Sequence, residues 1–252
     1  MKRRGAKPTA KQMPLPTPNT WGGKRRGSGR KATGKFGRDA AGRARPGVRH
    51  QKRRWDGARI PLHVTVRALP GAPSLRSFWA AAVIGALLKR RAERALPCRV
   101  VHFSLQKDHL HMLVEADDQP ALSRGMQGLL SGLARVINRA TGNRGKLWSD
   151  RYHARSLRTP TEVRHCIVYV LRNHLKHGEA AASLVDPLTS AAWFDGFANR
   201  EPLRRDAAPV APPATWLLRA GWHRAGGPIR DDERPAASYQ EDRARSVKEA
   251  AP

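Results

Sequence analysis

QKDHLHMLVE, residues 106–115, decides the fold. A polar triplet, Gln106-Lys107-Asp108, opens a stretch in which His109 and His111 alternate with Leu110, Met112 and Val114. The side-chain period of a strand is two, so one face of this segment is apolar and the other carries both imidazoles. Upstream, Arg99 to Leu105 repeats the pattern with Val101, Phe103 and Leu105 on one face. Two such runs joined by a short polar turn form a β-hairpin, Arg99–Leu105 with His109–Ala116.

Working outward, Ile60 to Leu69 alternates Leu62, Val64 and Val66 and reads as another half-buried strand, ended by Gly71 and Pro73. Between it and the hairpin, Leu75, Phe78, Trp79, Ala82, Val83, Ala86 and Leu87 recur at helical spacing, with Ser74 as cap and an end near Ala95 ahead of Pro97. After the hairpin, Gln119 to about Thr141 carries a stripe of Leu122, Met126, Leu129, Leu130, Leu133, Val136 and Ile137, closed by Gly142 and Asn143. Arg151 to Leu157 is a fourth strand. Thr159, Pro160 and Glu162 make a capping box with proline at the first helical position, and the helix they open is expected to run to Gly178. The order β-α-β-β-α-β-α is that of a ferredoxin-like α+β fold, an antiparallel sheet with one additional C-terminal helix.

Three regions follow: a basic arm at 1–59 expected to be disordered, the ordered domain at 60–178, and an Ala/Pro-rich extension at 179–252 that is partly disordered. Nineteen of the 48 Lys and Arg residues fall in the arm, against Asp39 and Asp56 alone. Its GGKRRGSGRKATGK run has no apolar periodicity. In the extension, TWLLRAGW around Trp216 to Trp222 is apolar enough to pack back on the domain, and the last twenty residues are not.

The formal net charge of +28 calls for a polyanionic partner, nucleic acid above all. A membrane span is excluded on length, because the longest uncharged apolar stretch, Phe78 to Leu88, is eleven residues. The basic start is not followed by an apolar h-region, and two cysteines, Cys98 and Cys166, make neither a disulfide framework nor a cysteine zinc site. The expected location is cytoplasmic, associated with the nucleoid.

Two imidazoles two apart on a strand can share one divalent ion, although two surface histidines would give the same pattern. On the last helix, EVRHCIVYVLRNHLKHG, Tyr169 has His165 and Asn173 four residues to either side, which places all three on one face. A phenol can attack phosphorus once a base or cation lowers its pKa from near 10. An ordinary amphipathic-helix tyrosine is the plain alternative. Arg151, Arg155 and Arg158, interleaved with Trp148 and Tyr152, suit phosphate contacts and base stacking, while Trp148 could equally anchor the core. His63 and His102 sit on neighbouring strands and are not placed in the site.

Together, His109-Leu110-His111, the segment Leu147-Trp148-Ser149-Asp150-Arg151-Tyr152 and the run from Tyr169 through Asn173 to Gly178 resemble the single-tyrosine HUH transposases. The closest branch is the REP-associated tyrosine transposases, and the likeness spans roughly Ile60 to Gly178. It implies that His109 and His111 bind Mg²⁺ or Mn²⁺, with Asn173 as a further ligand. It also implies that Tyr169 cuts single-stranded DNA to leave a 5′-phosphotyrosine link and a free 3′-hydroxyl. The pattern departs at Asp108, where Asn or Glu is common, at His174, where proline is frequent, and at Ser149, where Gln often follows the tryptophan. The expected function is a metal-dependent single-stranded DNA endonuclease and strand transferase acting on single-stranded or hairpin DNA, as monomer or homodimer. Its competitors are a non-catalytic, domesticated hairpin DNA/RNA-binding protein and, more remotely, a ribosome-associated basic protein.

Overall fold

The computed structural model describes residues 55–176, 185–199, 201–204, 206–230 and 233–235. The expected basic arm up to residue 54, Gly178 and the chain end lie outside the described residues. Four strands, β1 (Leu62–Arg67), β2 (Cys98–Leu105), β3 (His109–Ala116) and β4 (His153–Ser156), make one sheet in the order β2-β3-β1-β4. Every neighbouring pair is antiparallel. With α1 (Phe78–Ala92), α2 (Gln119–Thr141) and α3 (Pro160–Leu171), this is the ferredoxin-like α+β arrangement plus one helix.

Alternation decides what each face of the sheet touches. Leu62, Val64 and Val66 of β1 and Leu110, Met112 and Val114 of β3 pack with Ile84 and Leu88 of α1 and Met126, Leu129 and Leu133 of α2. Residues of the opposite parity, His63 and Thr65 of β1 and His111 and Leu113 of β3, turn to the face that α3 covers. There Val163, Ile167, Tyr169 and Val170 join Leu113 in a second core, with Phe194, Leu217, Leu218 and Trp222 packed in from the C-terminal segment. A bulge at Val101 in β2 inserts one residue between Val100 and His102, and Val101 enters the second core.

The helix signals act as expected at two ends and differ at two others. Asp118 caps α2 by accepting from the Ala121 N–H, and Gly142 closes it at φ 68°, a left-handed position that suits glycine. Thr159 and Glu162 form the reciprocal capping box of α3 at 3.2 Å in each direction. Helix α1, in contrast, starts at Phe78 behind Ser77, because Ser74 is spent in a turn in which its carbonyl accepts from the Ser77 hydroxyl at 2.9 Å. Phe78 consequently leaves the expected apolar stripe and is 92% exposed. At its other end the helix stops at Ala92, three residues before Ala95, which turns left-handed at φ 44° ahead of Pro97.

Helix α3 also ends early. Arg172, at φ −120° and ψ 20°, breaks the α-helical run, and Asn173–Lys176 tightens into a 3₁₀ turn. The C-terminal segment is ordered where TWLLRAGW falls, with α4 (Trp216–Arg219) followed by a 3₁₀ turn, Gly221–Ala225. Its hold on the sheet is polar as well as apolar. The Glu115 carboxylate, fully buried, accepts from the Ala214 and Thr215 N–H groups at 2.8 Å each and pairs with Arg99 at 3.3 Å. Farther along, Arg76 forks onto Asp186 at 2.8 and 3.2 Å.

Candidate active site

The site lies between β3 and α3, on the face of the sheet away from α1 and α2. Tyr169 sits in the middle of α3 and points at the sheet, its hydroxyl 3.5 Å from His111 Nε2. The two rings meet edge to face with centroids 5.1 Å apart, and the His109 and His111 rings stand 4.7 Å apart, nearly perpendicular. The structure therefore brings together the phenol and both imidazoles. Tyr169 is 2% exposed and His111 0%, so the pocket around them is closed.

Hydrogen bonding sets the chemistry of each ring. His109 Nδ1 lies 2.6 Å from the Asp108 carboxylate. Partial burial works against that carboxylate, but the His109 hydrogen bond and the nearby charges of His109 and Arg67 hold its pKa below the ordinary value. An ionised carboxylate only accepts, so Nδ1 of His109 carries a hydrogen, and when the ring is neutral its lone pair lies at Nε2. For His111, Nδ1 lies 3.1 Å from the Thr65 hydroxyl and 3.2 Å from His63 Nε2.

His63 and Thr65 are the residues that sequence reasoning left out of the site. The signal was available in LHVTVR. If Leu62, Val64 and Val66 face the core, His63 and Thr65 share the opposite face, and Thr65 stands directly across from His111 in the β1–β3 register. His102, also on β2's α3-facing side, goes elsewhere. Its Nδ1 is 3.2 Å from the Ser190 hydroxyl, and burial pushes its pKa down to about 4.

Asn173 is 1% exposed, and neither atom of its amide has a hydrogen-bond partner among the described residues. Because α3 has ended by then, the simple helical-face argument that joined His165, Tyr169 and Asn173 does not hold at Asn173. Its amide is presented from a 3₁₀ turn. His165 is partly exposed. Among the described residues no three His, Cys, Asp or Glu side chains gather as a metal-binding group. The residues present do suit a divalent cation completed by oxygen ligands from phosphate and water. They offer two imidazoles, one with its Nδ1 committed to a carboxylate, and a buried amide with no hydrogen-bond partner among the described residues.

The expected stacking surface is different in the structure. Trp148 and Tyr152 are 8% and 6% exposed and belong to the first core, where Trp148 Nε1 donates to the Leu130 carbonyl at 2.9 Å. Neither ring presents a face to an unpaired base here, because each is the apolar anchor that ties the α2–β4 connection to the sheet. Arg155 is engaged with Glu162 at 3.1 Å, and Arg158 with Asp56 at 2.9 Å. Arg151 is half-buried, and its backbone N–H donates to Asp150.

Residues 84–172 match the family model described as transposase, IS200-like. Two solved structures are similar at low identity. A REP-associated tyrosine transposase bound to a REP hairpin is 16% identical over 56% of this chain and 82% of its own, with a TM-score of 0.43. A candidate transposase from Deinococcus radiodurans R1 is 17% identical over 52% of this chain and 100% of its own, with a TM-score of 0.34. No curated protein matches.

Proposed function

We propose that this chain, whose residues 84–172 match the IS200-like transposase family model, is a metal-dependent single-stranded DNA endonuclease and strand transferase with Tyr169 as nucleophile. One observation carries the reading: the only tyrosine of α3 is aimed at the histidine pair, its hydroxyl 3.5 Å from His111 Nε2.

In the cleavage step the Tyr169 oxygen forms a bond to phosphorus and the bond from phosphorus to the 3′-oxygen breaks. The phenol loses its proton as the bond forms, and the departing oxygen takes one up to become a 3′-hydroxyl, so the proton count balances. The 5′-phosphotyrosine link keeps the phosphodiester's bond energy, so attack by another 3′-hydroxyl can rejoin a strand without an external energy source. His109, His111 and Asn173 would hold Mg²⁺ or Mn²⁺, which when bound supplies Lewis acidity to a non-bridging phosphate oxygen. His111 Nε2 has one lone pair and cannot serve a cation and the phenolic proton together. Asp108 orients His109 by accepting from its Nδ1.

Affinity for single-stranded or hairpin DNA comes from the basic surface, with Arg151 and Arg158 as phosphate contacts and Arg155 available once it exchanges Glu162 for phosphate. Trp148 and Tyr152 support this surface from beneath. The basic arm, residues 1–59, adds sequence-independent attraction, so binding falls steeply with salt. No helix among the described residues is long and apolar enough to cross a membrane. A cytoplasmic, nucleoid-associated monomer or homodimer fits this activity.

A second reading, a non-catalytic binder of hairpin nucleic acid, is favoured by one observation, the closure around Tyr169 and His111. One experiment separates the two. Wild-type protein incubated with labelled hairpin DNA and Mn²⁺ is expected to yield a covalent adduct stable to denaturation, and Tyr169→Phe to bind the hairpin but form none. An adduct of full yield in the Phe variant overturns the nucleophile. A shifted hairpin without any wild-type adduct establishes the binder instead.

A further inference from the structure

We infer that Thr65 and His63, on β1, are positioning residues that fix the tautomer and ring plane of His111 for a divalent cation. The inference rests on the metal site of the reading above and assigns a role to two residues outside it.

The backbone dictates the encounter. In the β1–β3 ladder Thr65 is paired with His111 and His63 with Leu113, so both β1 side chains emerge on the face that carries the imidazole pair. The hydroxyl of Thr65 and Nε2 of His63 converge on one atom, His111 Nδ1, at 3.1 and 3.2 Å. Both rings are buried, with His111 0% and His63 2% exposed, and Thr65 is partly buried.

An imidazole nitrogen carries either a hydrogen or a lone pair. With Nδ1–H shared between the Thr65 oxygen and the His63 lone pair, the His111 lone pair is placed at Nε2, on the side of Tyr169. A half-turn of the ring would put a C–H where the hydrogen bonds are and take the partner from the buried His63 Nε2, at about 1–3 kcal/mol, and from the partly buried Thr65 hydroxyl at less. His109 receives the same service from a different group, the Asp108 carboxylate at 2.6 Å. The difference follows from burial. Asp108 is about half exposed and keeps its charge hydrated, whereas an ionised carboxylate beside fully buried His111 would bear a large desolvation cost that a hydroxyl and a neutral imidazole avoid. His63 has a further contact. Its ring lies 5.3 Å from that of His111 and 5.7 Å, edge to face, from that of Tyr169, so it also props the spacing between imidazole and phenol.

The test uses the full chain and Mn²⁺ alone, with affinity read from the electron paramagnetic resonance signal of free Mn²⁺. Combining Thr65→Val with His63→Phe is expected to weaken Mn²⁺ binding by about 10- to 100-fold, while Thr65→Ser, which keeps the hydroxyl, stays near wild type. In the metal-free protein, ¹⁵N imidazole spectra should show His111 as the Nδ1–H tautomer in wild type and as a mixture in the double variant. A merely structural role would not move that signature. Unchanged Mn²⁺ affinity and an unchanged tautomer in the double variant overturn the inference, provided that His109→Ala with His111→Ala abolishes binding. Persistent Mn²⁺ binding in that control removes the metal site itself, and this inference with it. Should the double variant fail to fold, Thr65→Val alone, an exchange of hydroxyl for methyl, decides by the same two measurements.

Discussion

Acid should loosen the C-terminal segment through His102. The Ser190 hydroxyl accepts from the Phe103 N–H at 3.1 Å, so its own hydrogen is directed to His102 Nδ1 at 3.2 Å, and the ring is held neutral as an acceptor. Burial lowers its pKa from 6.5 to about 4. In the unfolded chain the ring titrates near its ordinary value, so between these limits the unfolded state binds more protons, and stability falls as pH falls. Full present stability is found above about pH 6.5. The linkage relation gives a loss of about 2 kcal/mol by pH 5 and about 3 kcal/mol by pH 4, levelling off roughly one pH unit below that. The assay is urea unfolding from pH 7.5 to 4 for wild type and His102→Asn, which retains an acceptor near Nδ1 but does not titrate. Subtracting the two curves removes the contribution of the carboxylates common to both. A difference that stays flat from pH 7 to 4 would refute the neutral, buried histidine.

Glu115→Gln is expected to destabilise the protein by about 1–3 kcal/mol, because the amide replaces one acceptor of a buried backbone N–H with a donor while Arg99 keeps Asp117, and to speed proteolysis near Ala214, where the carboxylate holds the backbone. Cleavage there at the wild-type rate counts against the clamp. Gly125→Ala would place a Cβ 2.3 Å from Cys98 Cβ and 2.7 Å from its sulfur, forcing α2 off β2 at a cost of about 1–3 kcal/mol. A urea midpoint equal to wild type would show that the two elements yield more easily than their packing implies.

Much of the architecture was legible because each element carries its own signal. Strict alternation in β1 and β3, the apolar stripe of α2 and the Thr159–Glu162 box are local patterns, and the structure repeats them. Less legible were features set by partners distant in sequence. Helix α3 is buried from Val163 to Leu171 at every position but His165, because the sheet covers one side and the C-terminal segment the other, and no pattern within the helix foretells its early end at Arg172. Phe78 satisfied a helical spacing yet lies outside, because Ser74 and Ser77 settle into a turn that delays the helix. For the site, spacing alone placed His109 and His111 on one face. The part played by His63 and Thr65 needed the register of β1 against β3, which sequence spacing does not supply. Trp148 and Tyr152 are a case of the reverse kind. Aromatic rings between arginines match a nucleic-acid surface in composition, but an indole N–H satisfied by the Leu130 carbonyl belongs to an interior.

The opposite parities of β3 divide its duties between two neighbourhoods. Leu110, Met112 and Val114 are committed to α1 and α2, and His109 and His111 to the phenol on the other side. A slip of a single residue in this strand would send imidazoles into oil and leucines toward the reaction centre. The apolar residues thus act as a ruler for the reactive ones, and flanking by β1 and β2 keeps that ruler from sliding. Substitutions that enlarge or shrink the α1–α2 side can therefore dull activity without touching any group that meets DNA.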